Sequence, residues 1–398
     1  MKSYNNMPNH NHSQKLSRKA FIETVVKTGL VFSASDFLLS CSSPGSYRRI
    51  EKENSETDIF SFLRSGIYAP NPHNTQAWKF RLIGEDTLEL FIDEKRLLPE
   101  TDPPARQIHI GAGCFIEQFC LAAEKKSYKV KLDYFPTGEY GIKDCGKKPV
   151  AILKLLKSEI DFKEDRLFQA IAERTTNRSV YSGNFTESDF LSLKQVMGST
   201  YSELRPILDE SKKEVLKRIL YSAFEIEMIS AEKSEESRIW FRYGDEEIFS
   251  KKDGISLRGS GISGLKLFFA ETFFFKPGKE SWYSKSNIEA GLSAFKTQLE
   301  SSPAFIYLKT KNNQMLDWVL SGRDYARLNL ATYAMGFAMS PMSQILQEYR
   351  EMEKLFSEFN TLMEVKEKEK IQMIVRVGKS DYRFYSPRRN LNEFLLDT

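Results

Sequence analysis

The chain has 398 residues, 41% of them hydrophobic and 28% charged, which gives apolar material for a sizeable core and too much length for one small domain. Lys and Arg number 58 against 54 Asp and Glu, so no global field argues for a nucleic acid or an acidic partner. Four cysteines (Cys41, Cys114, Cys120, Cys145) form no CxxC pair, and four histidines (His10, His12, His73, His109) never meet Cys or carboxylates at ligand spacing, so neither a disulfide scaffold nor a metal is expected.

The first stretch reads as an address. Arg18 and Lys19 precede a moderately apolar run interrupted by Glu23, Lys27 and Asp36, too broken for a membrane span, and the run ends in Leu-Leu-Ser-Cys41. Ser-Arg-Lys-Ala-Phe-Ile resembles a twin-arginine export signal with Lys19 in place of the second arginine, and Leu-Leu-Ser-Cys resembles a bacterial lipobox with Cys41 as the lipidated residue. The expectation is a leader over 1–41 and a polar linker over 42–56, in a lipid-anchored protein of the cell envelope; the alternative is an amphipathic N-terminal helix on a cytoplasmic protein.

A helix follows over "ETDIFSFLRSG", capped by Thr57 or Asp58. The stretch "APNPHNTQAWKF" then places two prolines, two asparagines, His73, Thr75 and Gln76 before a strand, an ordered polar turn rather than a floppy linker. It either presents amide side chains to a flat polar group or simply links helix to strand with Trp78 as a core plug. "WKFRLIG" and "TLELFID" alternate around Gly84-Glu85-Asp86 and predict a hairpin. Ile108, Ala112, Phe115, Phe119 and Ala122 mark one buried helix face, and "KVKLDYF" and "PVAILKLLK" add two strands. That order argues α+β rather than a parallel βαβ series.

A second lobe begins near residue 161 with a helix that ends in "RTTNR". Helices are expected over 186–198 and 209 to about 235, and residues 240–302 read as a less regular insertion mixing a glycine-serine loop with aromatics. A strand "AFIYLKT", one long helix over 313–340, another helix and the strand "IQMIVRV" complete the chain. The long helix resembles that of the first lobe, each with glycine and alanine among leucines, which hints at internal duplication.

Residues 259–264, Gly-Ser-Gly-Ile-Ser-Gly, match GxGxxG in letters alone. The residues before them are too polar and short for a central parallel strand, so a mobile lid over 254–280 or a surface loop is expected instead of a dinucleotide site. The lid would carry Phe268, Phe269, Phe273, Phe274 and Phe275. "RTTNR" brings Arg174, Thr176 and Arg178 to a helix exit and "SPRR" brings Arg388 and Arg389 to a position after the last strand, pairings of guanidinium and hydroxyl that suit a phosphate.

These motifs together resemble the nitroreductase family. "APNPHNTQAW" is similar to its Pro-Ser-x-x-Asn-x-Gln-Pro-Trp turn, "RTTNR" to its Arg-Arg-Ser-x-Arg phosphate motif and "SPRR" to its C-terminal basic pair; Asn71 and Ala77 depart from the pattern. Their order, with residues 102–106 and Arg-Val-Gly at 376–378, is that of the fused Acg-like subfamily. The resemblance implies an α+β nitroreductase-like fold of two fused halves forming an intramolecular pseudo-dimer: an N-terminal half over 57–160 and a C-terminal half over 161–398, a monomer being sufficient. It implies FMN, with Arg174, Thr176, Arg178, Arg388 and Arg389 toward the phosphate, ribityl chain and pyrimidine edge, Asn74 and Gln76 from the other lobe, and Pro341, Ser343 and Gln344 where the family passes its backbone along the flavin. The implied activity is reduction of nitroaromatic or quinone-like small-molecule acceptors by an unknown electron donor, with no catalytic His or Cys needed. The alternatives are a flavin-holding protein under a permanent cover and, more weakly, a scaffold lipoprotein.

Overall fold

The computed structural model describes residues 57–159 and 166–396, within a compact unit that runs from Tyr47 to Thr398. The expected leader, Cys41 and the linker 42–56 lie outside the described residues. Among the described residues no helix is long and apolar enough to cross a membrane, and no three His, Cys, Asp or Glu side chains gather to hold a metal.

The first half starts with α1 (Asp58–Ile67), which buries Ile59, Phe62, Leu63 and Ile67 on one face. After the polar turn come β1 (Trp78–Ile83) and β2 (Thr87–Ile92), paired antiparallel from Trp78 opposite Ile92 to Ile83 opposite Thr87. The hairpin closes through Gly84, whose φ of 62° is a conformation glycine adopts without a Cβ penalty. Then follow α2 (Arg106–Lys125), β3 (Tyr128–Tyr134) and β4 (Ala151–Lys157). In the second half α3 (Arg166–Ala170) and α4 (Glu187–Met197) precede β5 (Glu203–Ile207). Six helices separate β5 from the next strand: α5 (Glu210–Ile229), α6 (Ala231–Ile239), α7 (Gly244–Lys251), α8 (Gly264–Phe269), α9 (Lys279–Trp282) and α10 (Lys285–Glu300). β6 (Ala304–Thr310), α11 (Met315–Ala334), β7 (Ala338–Pro341), α12 (Glu353–Leu362) and β8 (Lys370–Gly378) complete it.

The fold is α+β, with two four-stranded sheets of the same internal order, β1-β2-β4-β3 and β5-β6-β8-β7, antiparallel throughout. Each half runs strand, strand, long helix, strand, strand, and the two long helices cross where both lack a side chain. Gly113 of α2 and Gly322 of α11 occupy the same position in their helices, and a Cβ on Gly113 would lie 1.9 Å from the Val319 carbonyl oxygen, one on Gly322 2.1 Å from that of Ile110. The backbones therefore touch, as only glycine permits. Around the crossing, buried Glu117 of α2 accepts from Arg323 Nε at 2.7 Å and Arg327 Nη1 at 2.6 Å of α11. Arg106, also buried, donates across the halves to the Leu346 carbonyl at 2.6 Å and Glu348 at 2.9 Å.

Several elements differ from the sequence expectation. The helix expected over 209–235 breaks at Ser230, which is extended and starts α6. The long helix stops at Ala334, and Gly336 at φ 75° turns the chain into β7, so residues 338–341 are strand and not helix. β5 was not expected as a strand. Residues 240–302 are largely helical rather than irregular.

After β8 the chain returns to the first half. Leu396 N–H donates to the Phe80 carbonyl at 2.8 Å, Lys79 Nζ to that of Glu393 at 2.7 Å, and Phe394 is buried near Phe80. This return carries Arg388 and Arg389 to the polar turn.

Candidate functional site

The polar turn is strained. His73, Asn74 and Gln76 hold φ values of 46°, 51° and 52°, left-handed conformations that cost non-glycine residues energy and cluster at functional sites. Asn71 stabilises the turn locally: its Oδ1 accepts from Gln76 N–H at 2.8 Å and its Nδ2 donates to the Ala69 carbonyl at 3.1 Å. Gln76 and Arg389 are joined to each other, Arg389 N–H donating to Gln76 Oε1 at 3.0 Å and Arg389 Nη2 to the Gln76 carbonyl at 2.9 Å. Both are buried. Neither lines the cleft described next, so their place is in the turn's scaffold.

"RTTNR" forms the opposing wall. Asn177 N–H donates to the Met339 carbonyl of β7 at 3.0 Å, and its Nδ2 to that of Tyr382 at 2.8 Å. Behind this loop Arg376 of β8 is fully buried, donating to Ser340 Oγ at 2.8 Å and the Ser179 carbonyl at 2.7 Å and stacking 3.8 Å over the Tyr181 ring. Burial lowers its pKa to about 10. Arg376 is thus a positioning residue for the loop.

Between these walls lies a narrow cleft lined by Asn71, His73 and Asn74 from the turn, Arg174, Thr176 and Arg178 from the loop, and Arg388 from the returning chain. Arg174 Nη1 and Arg388 Nη2 both donate to the Tyr68 carbonyl, at 2.8 and 3.2 Å. Among the described residues no carboxylate lines the cleft. Two guanidiniums on one carbonyl, with a third nearby and no acid among the described lining residues, suit a dianionic phosphate. Burial pulls the Arg178 pKa below its ordinary value, and burial plus the charge of Arg178 lowers that of His73 to about 4, so His73 is neutral at physiological pH.

The glycine loop closes one side, and it is fastened. Gln76 Nε2 donates to the Lys252 carbonyl at 2.8 Å, and Asp253 bridges Arg96 at 2.9 Å and Arg242 at 2.7 Å. Gly261 has φ 87° and a Cβ there would lie 2.6 Å from Ser179 N. Glycine at 261 lets this loop rest on the backbone of "RTTNR", which accounts for it without a pyrophosphate.

From Thr176 and Arg178 a wider cavity of about 460 Å³ runs into the helices of the second half. Pro341, Ser343 and Gln344 line it beside Tyr325, and Phe241, Trp282 and Phe295 make its far part apolar. Of the five expected lid phenylalanines, Phe274 and Phe275 border this cavity. Phe268, Phe269 and Phe273 are exposed instead. Asn74 Oδ1, His73 Nδ1 and Gln344 Oε1 are buried atoms lacking a hydrogen-bond partner among the described residues, which suits a ligand with several polar edges.

Glu227 also lines the cavity, accepting from Gln347 Nε2 at 2.9 Å and Ser237 Oγ at 3.3 Å. Burial raises its pKa from 4.5 to about 7. The folded chain then holds this proton more tightly than the unfolded one, so stability falls as pH rises from about 4.5 to about 7 and the cost persists above. Glu227→Gln is expected to gain about 2–3 kcal/mol over the parent near pH 8 and little near pH 4. Urea melts at the two pH values check this; a gain independent of pH would show that the titration is not its source.

Glu227, Arg376 and Asp253 were not singled out in the sequence. Arg376 sat within a quoted motif, but its partner in the loop, the Ser179 carbonyl, lies 197 positions away. Glu227 had no local signal beyond an acid on a helix.

The structure thus defines an α+β chain whose two like halves enclose an arginine-lined cleft, with no acid among its described lining residues, opening into a largely apolar cavity. No protein-family model matches it. Among curated proteins the chain is similar to "Putative NAD(P)H nitroreductase Rv3131" of Mycobacterium tuberculosis (strain ATCC 25618 / H37Rv), 29% identical over 125 residues, 31% of this chain and 34% of that protein. It is also similar to "Putative NAD(P)H nitroreductase acg" of the same strain, 33% identical over 82 residues, 20% of this chain and 24% of that protein. The chain therefore spans about a third or less of the length of the curated relatives it matches. Among solved structures, the FMN-dependent nitroreductase NfnB of Mycobacterium smegmatis in complex with NADPH aligns over 58% of this chain and 98% of its own, at 15% identity and a TM-score of 0.36.

Proposed function

We propose that this chain is an FMN-dependent oxidoreductase of nitroreductase type, passing electrons from NAD(P)H to nitroaromatic or quinone-like acceptors. The observation that carries it is the convergence of Arg174 and Arg388 on the Tyr68 carbonyl in a cleft that Arg178 also lines, with no carboxylate among its described lining residues. The names of the two mycobacterial relatives support the same reading.

The residues present fit FMN. Arg174 and Arg388 would hold its phosphate, Thr176 and Arg178 the adjoining chain and ring edge, and Asn74 and Gln344 would pair their unused oxygens with polar edges of the ring. Bound FMN supplies acceptance and donation of a hydride equivalent. Arg178, desolvated in the cleft, would favour the more negatively charged reduced form of the flavin. His73 is neutral and available as a hydrogen-bonding group at the cleft floor. The apolar walls of the larger cavity exclude water from the acceptor's side. Both halves of one chain build the cleft, which supports a monomer as the working unit. Export through the twin-arginine route and lipidation at Cys41 belong to the same proposal.

A second reading, an FMN-holding protein with little turnover, draws on the fastening of the glycine loop by Gln76 and Asp253. One experiment addresses both. The purified chain, mixed with FMN and freed of excess, is expected to show a flavin spectrum that NADPH bleaches and a quinone or nitroaromatic restores. Bleaching and recovery without multiple turnovers would select the holding protein, and a colourless chain that takes up no FMN would remove both.

A further inference from the structure

The segment 264–276 carries apolar bulk on its outer side. α8 continues without a break into a wider helical turn over Ala270–Phe274. Leu267 anchors it in a small core with Phe241, Leu257 and Trp282, and Ala270, Phe274 and Phe275 border the cavity. Outward, Phe268 is 57% exposed, Phe269 49%, Phe273 62% and Phe274 56%. The rings are adjacent: Phe268 and Phe269 have centroids 5.7 Å apart, Phe269 and Phe273 5.9 Å. A contiguous exposed aromatic patch of this kind marks a contact surface, unlike scattered single residues.

Its charge selects the partner. Lys266 and Lys276 are exposed at either end of the aromatic run, and Glu271 is the one acid between 264 and 276; Lys279 beyond it is paired with Glu235 at 3.1 Å and adds no free charge. Rings that reach the acyl boundary with lysines at headgroup level match an anionic bilayer surface. If Cys41 is lipidated as proposed, residues 42–56 would keep the protein within at most about 50 Å of a membrane.

We infer that residues 264–276 seat this protein on an anionic lipid surface, with Phe268, Phe269 and Phe273 inserted at the acyl boundary. Phe274 is both exposed and a wall of the cavity, so the cavity opens beside the lipid contact and receives apolar molecules dissolved in the bilayer. The acceptor would then be lipid-soluble. That consequence rests on the oxidoreductase reading, whereas the docking itself does not.

The test uses the compact unit from Tyr47 onward, which removes the apolar leader and Cys41, and vesicles of phosphatidylglycerol and phosphatidylcholine in equal parts, compared with phosphatidylcholine alone. The unit is expected to co-sediment with the mixed vesicles, less at high salt. Phe268→Ser, Phe269→Ser and Phe273→Ser together should lower the affinity at least about tenfold while leaving the thermal midpoint unchanged, since these rings are exposed. Lys266→Glu with Lys276→Glu should abolish the preference for phosphatidylglycerol. Absence of vesicle binding by the parent, or equal binding by the triple variant, overturns the inference. So does a parent dimer that the triple variant dissolves without any vesicle binding, which would assign the patch to a second copy of this chain. Loss of FMN binding alters none of these readouts, so the two proposals fail separately.

Discussion

Gly322→Ala is expected to be among the most destabilising single methyl additions in this chain, with a loss of about 3 kcal/mol or more. The new Cβ would lie 2.1 Å from the Ile110 carbonyl oxygen and 2.9 Å from its carbon, and both are backbone atoms of a helix that no rotamer change can move aside. Relief requires α2 and α11 to separate. Separation would stretch the bonds from Arg323 and Arg327 to Glu117, at 2.7 and 2.6 Å, and the Cys114 contact to the Gly322 carbonyl at 3.1 Å. Because the cleft draws its walls from both halves, FMN affinity should fall together with stability. Gly113→Ala should behave alike, its Cβ reaching 1.9 Å from the Val319 oxygen. Gly141→Ala is the control, having no atom within 4 Å of the added carbon. Urea melts of the three variants decide the matter: if Gly322→Ala unfolds at the same midpoint as Gly141→Ala, the close backbone crossing does not hold the halves together.

That crossing also explains what the sequence revealed of the fold. The face of α2 was legible because Ile108, Ala112, Phe115 and Phe119 recur at helical spacing and all are buried. The hint of duplication came from glycine and alanine in both long helices, and its cause is the contact of Gly113 with Gly322. β5 was hidden for a physical reason: its residues, Glu203 to Ile207, include charges and Pro206, which a strand tolerates at the sheet edge, where β5 lies. β7 was hidden because "GFAMS" continues the apolar run of α11, and the signal that ends the helix is a single glycine at 336.

The site was legible as motifs and opaque as geometry. Arg174, Thr176, Arg178, Asn74 and Arg388 share one cleft, and Pro341, Ser343 and Gln344 line the cavity that adjoins it. Nothing in local sequence tells that Gln76 and Arg389 bond to each other behind it, since they are 313 positions apart. Part of the cavity wall comes from faces of helices α5, α6 and α10 that meet only in the folded chain. Glu227 belongs to one of those faces, and its burial against Gln347 comes from 120 positions away.

Arg174→Ala and Arg388→Ala are each expected to weaken FMN binding by roughly ten- to a hundredfold and to leave riboflavin binding nearly unchanged. A charged hydrogen bond to phosphate contributes about 1.5–3 kcal/mol, and riboflavin lacks that phosphate. The comparison is needed because both arginines also serve the fold: Arg388 Nε donates to the Ile67 carbonyl at 2.7 Å, and both side chains hold the Tyr68 carbonyl at the end of α1. Loosening α1 would disturb the polar turn after it, and that cost would fall on FMN and riboflavin equally. The phosphate contribution is what remains in the ratio of the two affinities. Arg388→Lys separates the roles further, since a lysine keeps the charge but cannot reach the Ile67, Tyr68 and Ala69 carbonyls in a guanidinium's fork, so it should retain part of the FMN preference at lower stability. Fluorescence titrations with the two flavins give the ratio directly. Equal losses for FMN and riboflavin in both alanine variants would mean that the arginine pair holds the end of α1 alone, and the cleft would have to bind its anion elsewhere.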